Sequence, residues 1–597
     1  MSRKYFAVVL FLVMTALLGP SAAPAAPAPG KTENLVLLFT HDLHSHLDPY
    51  PALDASGKPA QAGGFARLAT VIDRERTGNE SRTLLADAGD FSMGTVFHTV
   101  RESRSGELVA MGLLGYDATT YGNHDFEKGP GLLAQALEAA RKNARGRLPS
   151  VVASNTFVDP LDPGLFGLRD AQYAAPVIPY AVLRRAGMKI GLFGLMGRDA
   201  ASDVPQASPV VFTDPVETAR RIVSLLRERE KVDLVIALSH CGTWADKARS
   251  EDELLARAVP GIDIIVSGHT HTVLDPYIRA GDTVIVSAGA YCRYLGRLEI
   301  EKRPGGKVAV RDYRLIPITS SVSGKAEVAG FVSGLAAEAE KTALEPMGYR
   351  FGQVIAESAL SLPMPLEEGN PGPLPAPSGL GNLVADAYRA AAGETGLAFQ
   401  ADGPIRAPLV AGKVTVNDAF RILSLGQGFD GRAGYPLLAF RLTGADVREV
   451  LETDPSLGPL KADARLQVSG MRASIDPTAP AFSRVRAVET ESRGGSLAPL
   501  DEKALYKVVT NGYLVMMIGY LDRVSGGRLT VVPRDASGEP LASPWTARLF
   551  DGTDGAELKE WVALARFLQS FPDTDENGLP YVPATYARPL PHFVPAP

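Results

Sequence analysis

From Asn34 to about Ile318 the chain repeats one unit: a short, apolar, partly β-branched run, a polar cluster at its end, then a stretch with apolar residues at helical spacing. The runs Leu35–Phe39, Thr83–Ala86, Leu234–Leu238, Ile262–Val266 and Val284–Val286 lack polar alternation, so they predict strands covered on both faces. The covering helices are predicted over Gly64–Arg76, Gly131–Arg145 and Pro215–Glu230, the last capped by Asp214. This is a layered α/β domain. Open α/β sheets gather their loops at the carboxyl ends of the strands, so polar residues scattered along the domain are expected to meet in one pocket.

Those polar clusters read Thr40-His41-Asp42-Leu43-His44, Asp87-Ala88-Gly89-Asp90, Gly122-Asn123-His124-Asp125, Ser239-His240 and Gly268-His269-Thr270-His271. Eight of the nine histidines fall between His41 and His271. Imidazole, carboxylate and amide oxygen are ligands for divalent metals, and their concentration here predicts a metal site. His46 and His98 are read as surface or hydrogen-bonded residues rather than ligands. Cys241 and Cys292 are the only cysteines, which excludes a disulfide framework. They are either two buried thiols or a single bridge beside His240.

A chain of 597 residues exceeds what one hydrophobic core serves, so two domains are expected. At the N-terminus Arg3 and Lys4 precede an apolar stretch from Tyr5 to Leu18 and a small-residue site at Ala23-Pro24-Ala25, the pattern of a secretory signal peptide over residues 1–25. The expected location is therefore periplasmic or extracellular, with no membrane span after signal cleavage. A net charge of −6 without a Lys/Arg-rich run argues against a nucleic-acid polymer as partner. Residues 32–318 form the first expected domain, 319–350 a helical connection around Gly330–Leu344, 351–586 a second, mixed α/β domain, and 587–597 a Pro-rich surface tail. In the second domain helices are expected at Gly379–Ala392 and Gly444–Leu451, and strands at Leu437–Leu442, Ala464–Ser469 and Tyr506–Thr510.

The ordered clusters resemble those of the calcineurin-like metallophosphoesterases and, with the second half, of the two-domain 5′-nucleotidase and UDP-sugar hydrolase family. Asp42-Leu43-His44 matches its D-x-H, Gly89-Asp90 its G-D, and Gly122-Asn123-His124 its G-N-H. Ser239-His240 matches its isolated histidine, and Gly268-His269-Thr270-His271 its G-H-x-H. The resemblance implies an N-terminal layered α/β metallophosphoesterase sandwich with a second, mixed α/β substrate-binding domain. It also implies two divalent ions (Zn, Mn, Fe or Co). Asp42, His44 and His271 would hold one and Asn123, His240 and His269 the other, with Asp90 between them. The implied reaction is hydrolysis of a phosphate ester, a metal-bridging hydroxide attacking phosphorus in line. His124 would act on the transition state or leaving group, oriented by Glu127 where the family more often has aspartate. His41 stands where the family has asparagine, either as a hydrogen-bond partner or as a neutral replacement.

The resemblance continues through Gly381-Asn382-Leu383, Ala385-Asp386, Gly403-Pro404-Ile405-Arg406 and Ser469-Gly470. It implies that Arg406 contacts phosphate, Asn123 also touches substrate, and a base is read by stacking. Departures bear on that last point. The P-F-G-N element reads Ser424-Leu425-Gly426-Gln427, and the G-G-D-G-Y segment is replaced by Met516-Met517-Ile518-Gly519-Tyr520. Tyr513 remains as a stacking candidate and Phe429 as a displaced ring. The leading expectation is an exported dimetal phosphohydrolase of 5′-nucleotidase type acting on nucleoside 5′-monophosphates or related small-molecule phosphate esters. The alternatives are a non-nucleotide phosphoesterase, a sulfur-ester hydrolase on the same metals, and a non-catalytic ligand-binding relative.

Overall fold

The computed structural model describes residues 34–597 except 55, 175–176, 303–305, 366–376, 394–395, 493–494, 552–554 and 597. The expected signal peptide lies outside the described residues. In the first domain two sheets lie face to face. One orders its strands as Val308–Pro317, Tyr294–Lys302, Leu35–Thr40, Thr83–Asp87, Ala118–Thr119, Ser150–Val152 and Val177–Ile178. The other runs Ile278–Ala280, Thr283–Val286, Ile264–Ser267, Leu234–His240, Met188–Met196 and Tyr180–Arg185. The central strands of both are parallel; antiparallel strands close one edge of the first sheet and both edges of the second.

The period-two alternation of a strand explains why these runs are apolar throughout. Along Leu35–Thr40, Leu35, Leu37 and Phe39 enter the core between the sheets with Leu192, Ile236 and Val266. Val36 and Leu38 point the other way, under the helices Phe65–Arg76, Gly106–Leu114 and Gly129–Asn143. The second sheet's outer residues, among them Phe193, Val235 and Ile265, pack against the helices Pro215–Ser224 and Glu251–Ala258. Asp214 caps the former, its Oδ1 accepting from the Glu217 N–H at 2.9 Å. The result is a four-layer α/β/β/α sandwich.

The stretch between the two domains is helical. Its helix runs Ala326–Ala339 and buries Val328, Val332 and Leu335 in the first domain's core, because its apolar face matches the outer layer there.

The second domain is built on a mixed sheet ordered Leu437–Thr443, Leu505–Asn511, Leu397–Ala401 and Leu466–Ser469. Helices Gly379–Ala391, Val416–Ile422 and Glu560–Gln569 cover one face. Gly444–Leu457 and Gly512–Ser525 cover the other. The helix expected to end at Leu451 continues to Leu457 through Pro455. The Pro-rich terminus is not a surface tail: Phe593–Pro595 adds a parallel strand to Met471–Ile475 and buries Phe593. A strand this short needs only a few ladder bonds and one apolar anchor, and prolines are tolerated at such a sheet edge. Among the described residues no helix is long and apolar enough to cross a membrane.

Candidate active site

The polar clusters leave the carboxyl ends of their strands in conformations that side chains rarely adopt. Asp42, His44, Asp90, His269 and His271 have φ of 51°, 47°, 54°, 71° and 55°. Left-handed backbone at a non-glycine residue costs about 1–2 kcal/mol, so the surrounding loops must hold these residues in place. Part of the hold is steric. A Cβ on Gly122 would stand 2.1 Å from Asp90 Oδ1, and one on Gly268 would stand 2.8 Å from the Ala88 carbonyl oxygen. The buried Asp125 carboxylate fixes the Asn123–His124 loop, accepting from the Gly122 N–H at 2.9 Å and the Ser92 hydroxyl at 2.7 Å.

Asp42 is the centre of the arrangement. Its Oδ2 faces His41 Nδ1 at 2.5 Å and accepts from the His269 N–H at 2.9 Å. The tautomer of His41 follows from its other side: Nε2 accepts from the Ala288 N–H at 2.7 Å, so Nδ1 carries the proton and donates to Asp42. His41 is thus a hydrogen-bond partner of Asp42. Asp42 Oδ1, by contrast, is buried without any hydrogen-bond partner. Around it stand His271 Nε2 at 3.5 Å, His44 Nε2 at 3.7 Å and His240 Nε2 at 3.9 Å.

The outer nitrogens of two of these rings are taken by backbone carbonyls, His44 Nδ1 by Met93 at 3.1 Å and His240 Nδ1 by Ala88 at 2.9 Å. That turns both Nε2 lone pairs inward, as metal-binding imidazoles require. Asp90 Oδ2 lies 3.1 Å from His240 Nε2 and 3.8 Å from His44 Nε2, with Asn123 Oδ1 3.2 Å from the former. Asp42, His44 and His271 therefore form one group that fits a cation, and Asp42, Asp90 and His240 a second that shares Asp42 with it. A buried carboxylate oxygen with no donor, ringed by inward-facing imidazoles, is the chemistry of a divalent-metal site.

His269 sits apart from this cluster. Its Nε2 bonds Asp199 Oδ2 at 3.0 Å while its ring centroid lies 5.3 Å from that of His240. With Nε2 so engaged, Nδ1 is the ring's remaining ligand atom. Asp199 was missed at the sequence level although it carries the same signal as the other clusters, a polar residue just past an apolar run, here Met188–Met196. Electrostatics follow from the crowding. Burial pushes the Asp42 carboxyl up, but His240 and His271 more than offset it and hold it well below the carboxylate range. Burial likewise works against protonating His240, yet Asp90 and Asp42 carry it up to about 10.

His124 faces the site from the Asn123–Phe126 turn, its ring centroid 5.1 Å from that of His44. Its Nδ1 meets Glu127 Oε2 at 2.5 Å, and its N–H donates to Asp90 Oδ1 at 2.8 Å. Desolvation opposes protonation of His124, but Asp90 and Glu127 outweigh it and raise its pKa. The other Glu127 oxygen accepts from the Gly426 N–H of the second domain at 3.0 Å. The extra methylene relative to aspartate thus serves two partners.

A cavity of about 380 Å³ opens beside these residues, lined by Asn123, His124 and Glu127 from the first domain and by Arg406, Leu425 and Tyr513 from the second. Arg406 has no side-chain hydrogen bond to the described residues; burial works against its charge, but Tyr291, Asp463, Glu127 and Asp90 outweigh it and keep the guanidinium charged. Phe429 does not supply a displaced ring: it is 67% exposed and packs on Trp545 and Arg548. His46 and His98 are both buried, the first between Tyr50 and Tyr291, the second against Phe420. Cys241 and Cys292 are free and buried.

Residues 35–273 match the calcineurin-like phosphoesterase family model, and residues 370–519 that of the 5′-nucleotidase C-terminal domain. The chain is 28% identical over 505 residues to the trifunctional nucleotide phosphoesterase protein YfkN of Bacillus subtilis, covering 81% of this chain but 32% of that protein. It is 27% identical over 537 residues to the 5′-nucleotidase of Rattus norvegicus, covering 85% of this chain and 86% of the relative. Among solved structures the 5′-nucleotidase precursor of Thermus thermophilus superposes with a TM-score of 0.69 at 25% identity, covering 94% of this chain and 99% of that one. A sulfate thiohydrolase, SoxB, shares the fold with a TM-score of 0.66 at 20% identity, covering 95% and 97%.

Proposed function

Because this chain belongs to the two-domain 5′-nucleotidase family of metal-dependent phosphoesterases, we propose that it is an exported hydrolase releasing phosphate from nucleoside 5′-monophosphates or related phosphate esters. The observation that carries this reading is the donorless Asp42 Oδ1 amid three inward-facing imidazoles, beside a cavity holding Arg406 and His124. Asp42, His44 and His271 would hold one divalent ion and Asn123, His240 and His269 the other, with Asp90 as a ligand available to both. The central position of Asp42 makes it a contributor to both groups. When bound, the two ions lower the pKa of water and neutralise charge on the phosphate oxygens.

The chain's own groups do the rest. Arg406 offers a fork of N–H donors to the non-reacting phosphate oxygens. His124, protonated and held by Glu127, delivers its Nε2 proton to the departing ester oxygen, so the alcohol leaves neutral. Asp90, fixed by the His124 N–H, keeps that ring and the metal site in one frame. Since Glu127 also binds Gly426, His124 reaches its working orientation only when the second domain is seated. The signal-like residues 1–25 direct the chain to the periplasm or outside the cell.

The non-nucleotide reading draws on a specific observation: Leu425 stands where the first stacking ring is expected, so Tyr513 faces the cavity beside Tyr435 without that ring opposite. The test is phosphate release by the purified protein, stripped with chelator and reloaded with Mn²⁺ or Zn²⁺. AMP, UDP-glucose, a non-nucleotide phosphomonoester and a phosphodiester serve as substrates. Metal-dependent release from monoesters is expected, lost in Asp90→Ala. Undiminished turnover in that variant would overturn the proposal.

A further inference from the structure

The cavity beside His124 does not end at the domain boundary. It continues into the second domain, between the sheet residues Phe399, Phe440, Leu442 and Val508 and the helix residues Met517 and Ile518. These walls belong to the domain's own apolar core, where Leu466, Val515 and Val531 pack. Two buried polar side-chain atoms on its lining have no partner, the Thr453 hydroxyl from the Gly444–Leu457 helix and Gln206 Oε1 from the first domain. The Thr510 hydroxyl is already spent on the Phe399 carbonyl at 3.1 Å. The segment Met516-Met517-Ile518 lies in a regular helix, Gly512–Ser525, so apolar side chains rather than a glycine-rich turn line the cavity here.

Building on the phosphohydrolase reading above, we propose that this cavity receives the alcohol part of the substrate, and that the substrate class is phosphate monoesters of apolar alcohols, alkyl or aryl, rather than nucleotides. A nucleobase brings several edge donors and acceptors, each costly to bury unpaired, and the sheet and helix residues just named offer only the Thr453 hydroxyl to meet them. An alkyl chain has no such groups and gains with every methylene removed from water. The volume of about 380 Å³ lies in the range that encloses a small organic ligand. With phosphate held at Arg406 and His124, the chain of such an ester points along the cavity between sheet and helix.

Two measurements test this on the full-length, metal-loaded protein. In the first, kcat/KM is compared for methyl, butyl and octyl phosphate, glycerol phosphate and AMP. The expected series rises roughly threefold to fourfold per buried methylene, with glycerol phosphate and AMP below octyl phosphate. Val450→Trp, which adds bulk to the wall contributed by the Gly444–Leu457 helix, is expected to flatten the series at shorter chains. In the second, calorimetry compares methylphosphonate and octylphosphonate, which cannot turn over, and the octyl compound is expected to bind at least about 100-fold tighter. A series flat with chain length, AMP as the preferred ester, or equal binding of the two phosphonates would overturn the inference. Tight octylphosphonate binding with no ester hydrolysed would support the pocket and sink the hydrolase reading instead.

Discussion

Replacing Glu127 with glutamine isolates what its charge does, because the side chain keeps its length. Oε2 accepts from His124 Nδ1 at 2.5 Å, and Oε1 accepts from the Gly426 N–H at 3.0 Å and the Tyr435 hydroxyl at 3.5 Å. A glutamine has one acceptor oxygen and one NH₂, so Glu127→Gln satisfies either His124 or the Gly426 and Tyr435 donors and turns a donor toward the opposite side. The His124 and Gly426 contacts are both partly buried, and a hydrogen bond to a charged group contributes about 1.5–3 kcal/mol. At 1.36 kcal/mol per factor of ten, turnover of an unactivated alkyl phosphate should fall roughly 10- to 150-fold. The cause is weakened proton delivery by His124. An ester with an acidic phenol as leaving group needs little protonation and should lose much less. The assay is steady-state kcat on an alkyl phosphate and on p-nitrophenyl phosphate, with parent and variant loaded with the same metal. Equal losses on the two esters would refute the proton-delivery role, and no loss on either would remove Glu127 from the mechanism.

Metal binding should stabilise the first domain: at a free Mn²⁺ concentration 100 times Kd the gain is about 2.7 kcal/mol, read as a rise in Tm, and Asp42→Asn should abolish that rise. Gly122→Ala drives a methyl group into Asp90 and should cost both metal affinity, measured by calorimetry, and activity; parent-like affinity would contradict the packing seen there. Glu560 gives a pH prediction remote from the metals. Burial pushes its carboxyl from the usual 4.5 to about 8, while Oε2 accepts from Asn511 at 2.7 Å. The folded state therefore holds a proton that the unfolded chain releases, and this contribution to stability, complete below pH 4.5, is lost as pH rises toward 8. Glu560→Gln removes that slope. Its Tm should gain on the parent's between pH 5 and pH 9, and parallel Tm curves would show that Glu560 is not protonated in the fold.

Local information was enough for the scaffold. An apolar run without alternation has to be a strand buried on both faces, and Leu35–Thr40, Thr83–Asp87 and Leu234–His240 are such strands. That Asp42, His44, Asp90, Asn123, His240 and His271 would meet was legible for a related reason: each closes or follows such a strand, and sheet topology brings those ends together. Partner choice was not legible, since it depends on which groups converge across long sequence separations. Only the folded chain sets His41 between Asp42 and Ala288, pairs His269 with Asp199, and gives Glu127 a second partner in Gly426. Packing also decided that Phe429 turns outward, that the last residues form a strand, and that the apolar side chains of the Gly512–Ser525 helix line a cavity. Periodicity is written in neighbouring residues and survives without the rest of the molecule, whereas a hydrogen-bond partner or a cavity wall exists only once distant segments have met.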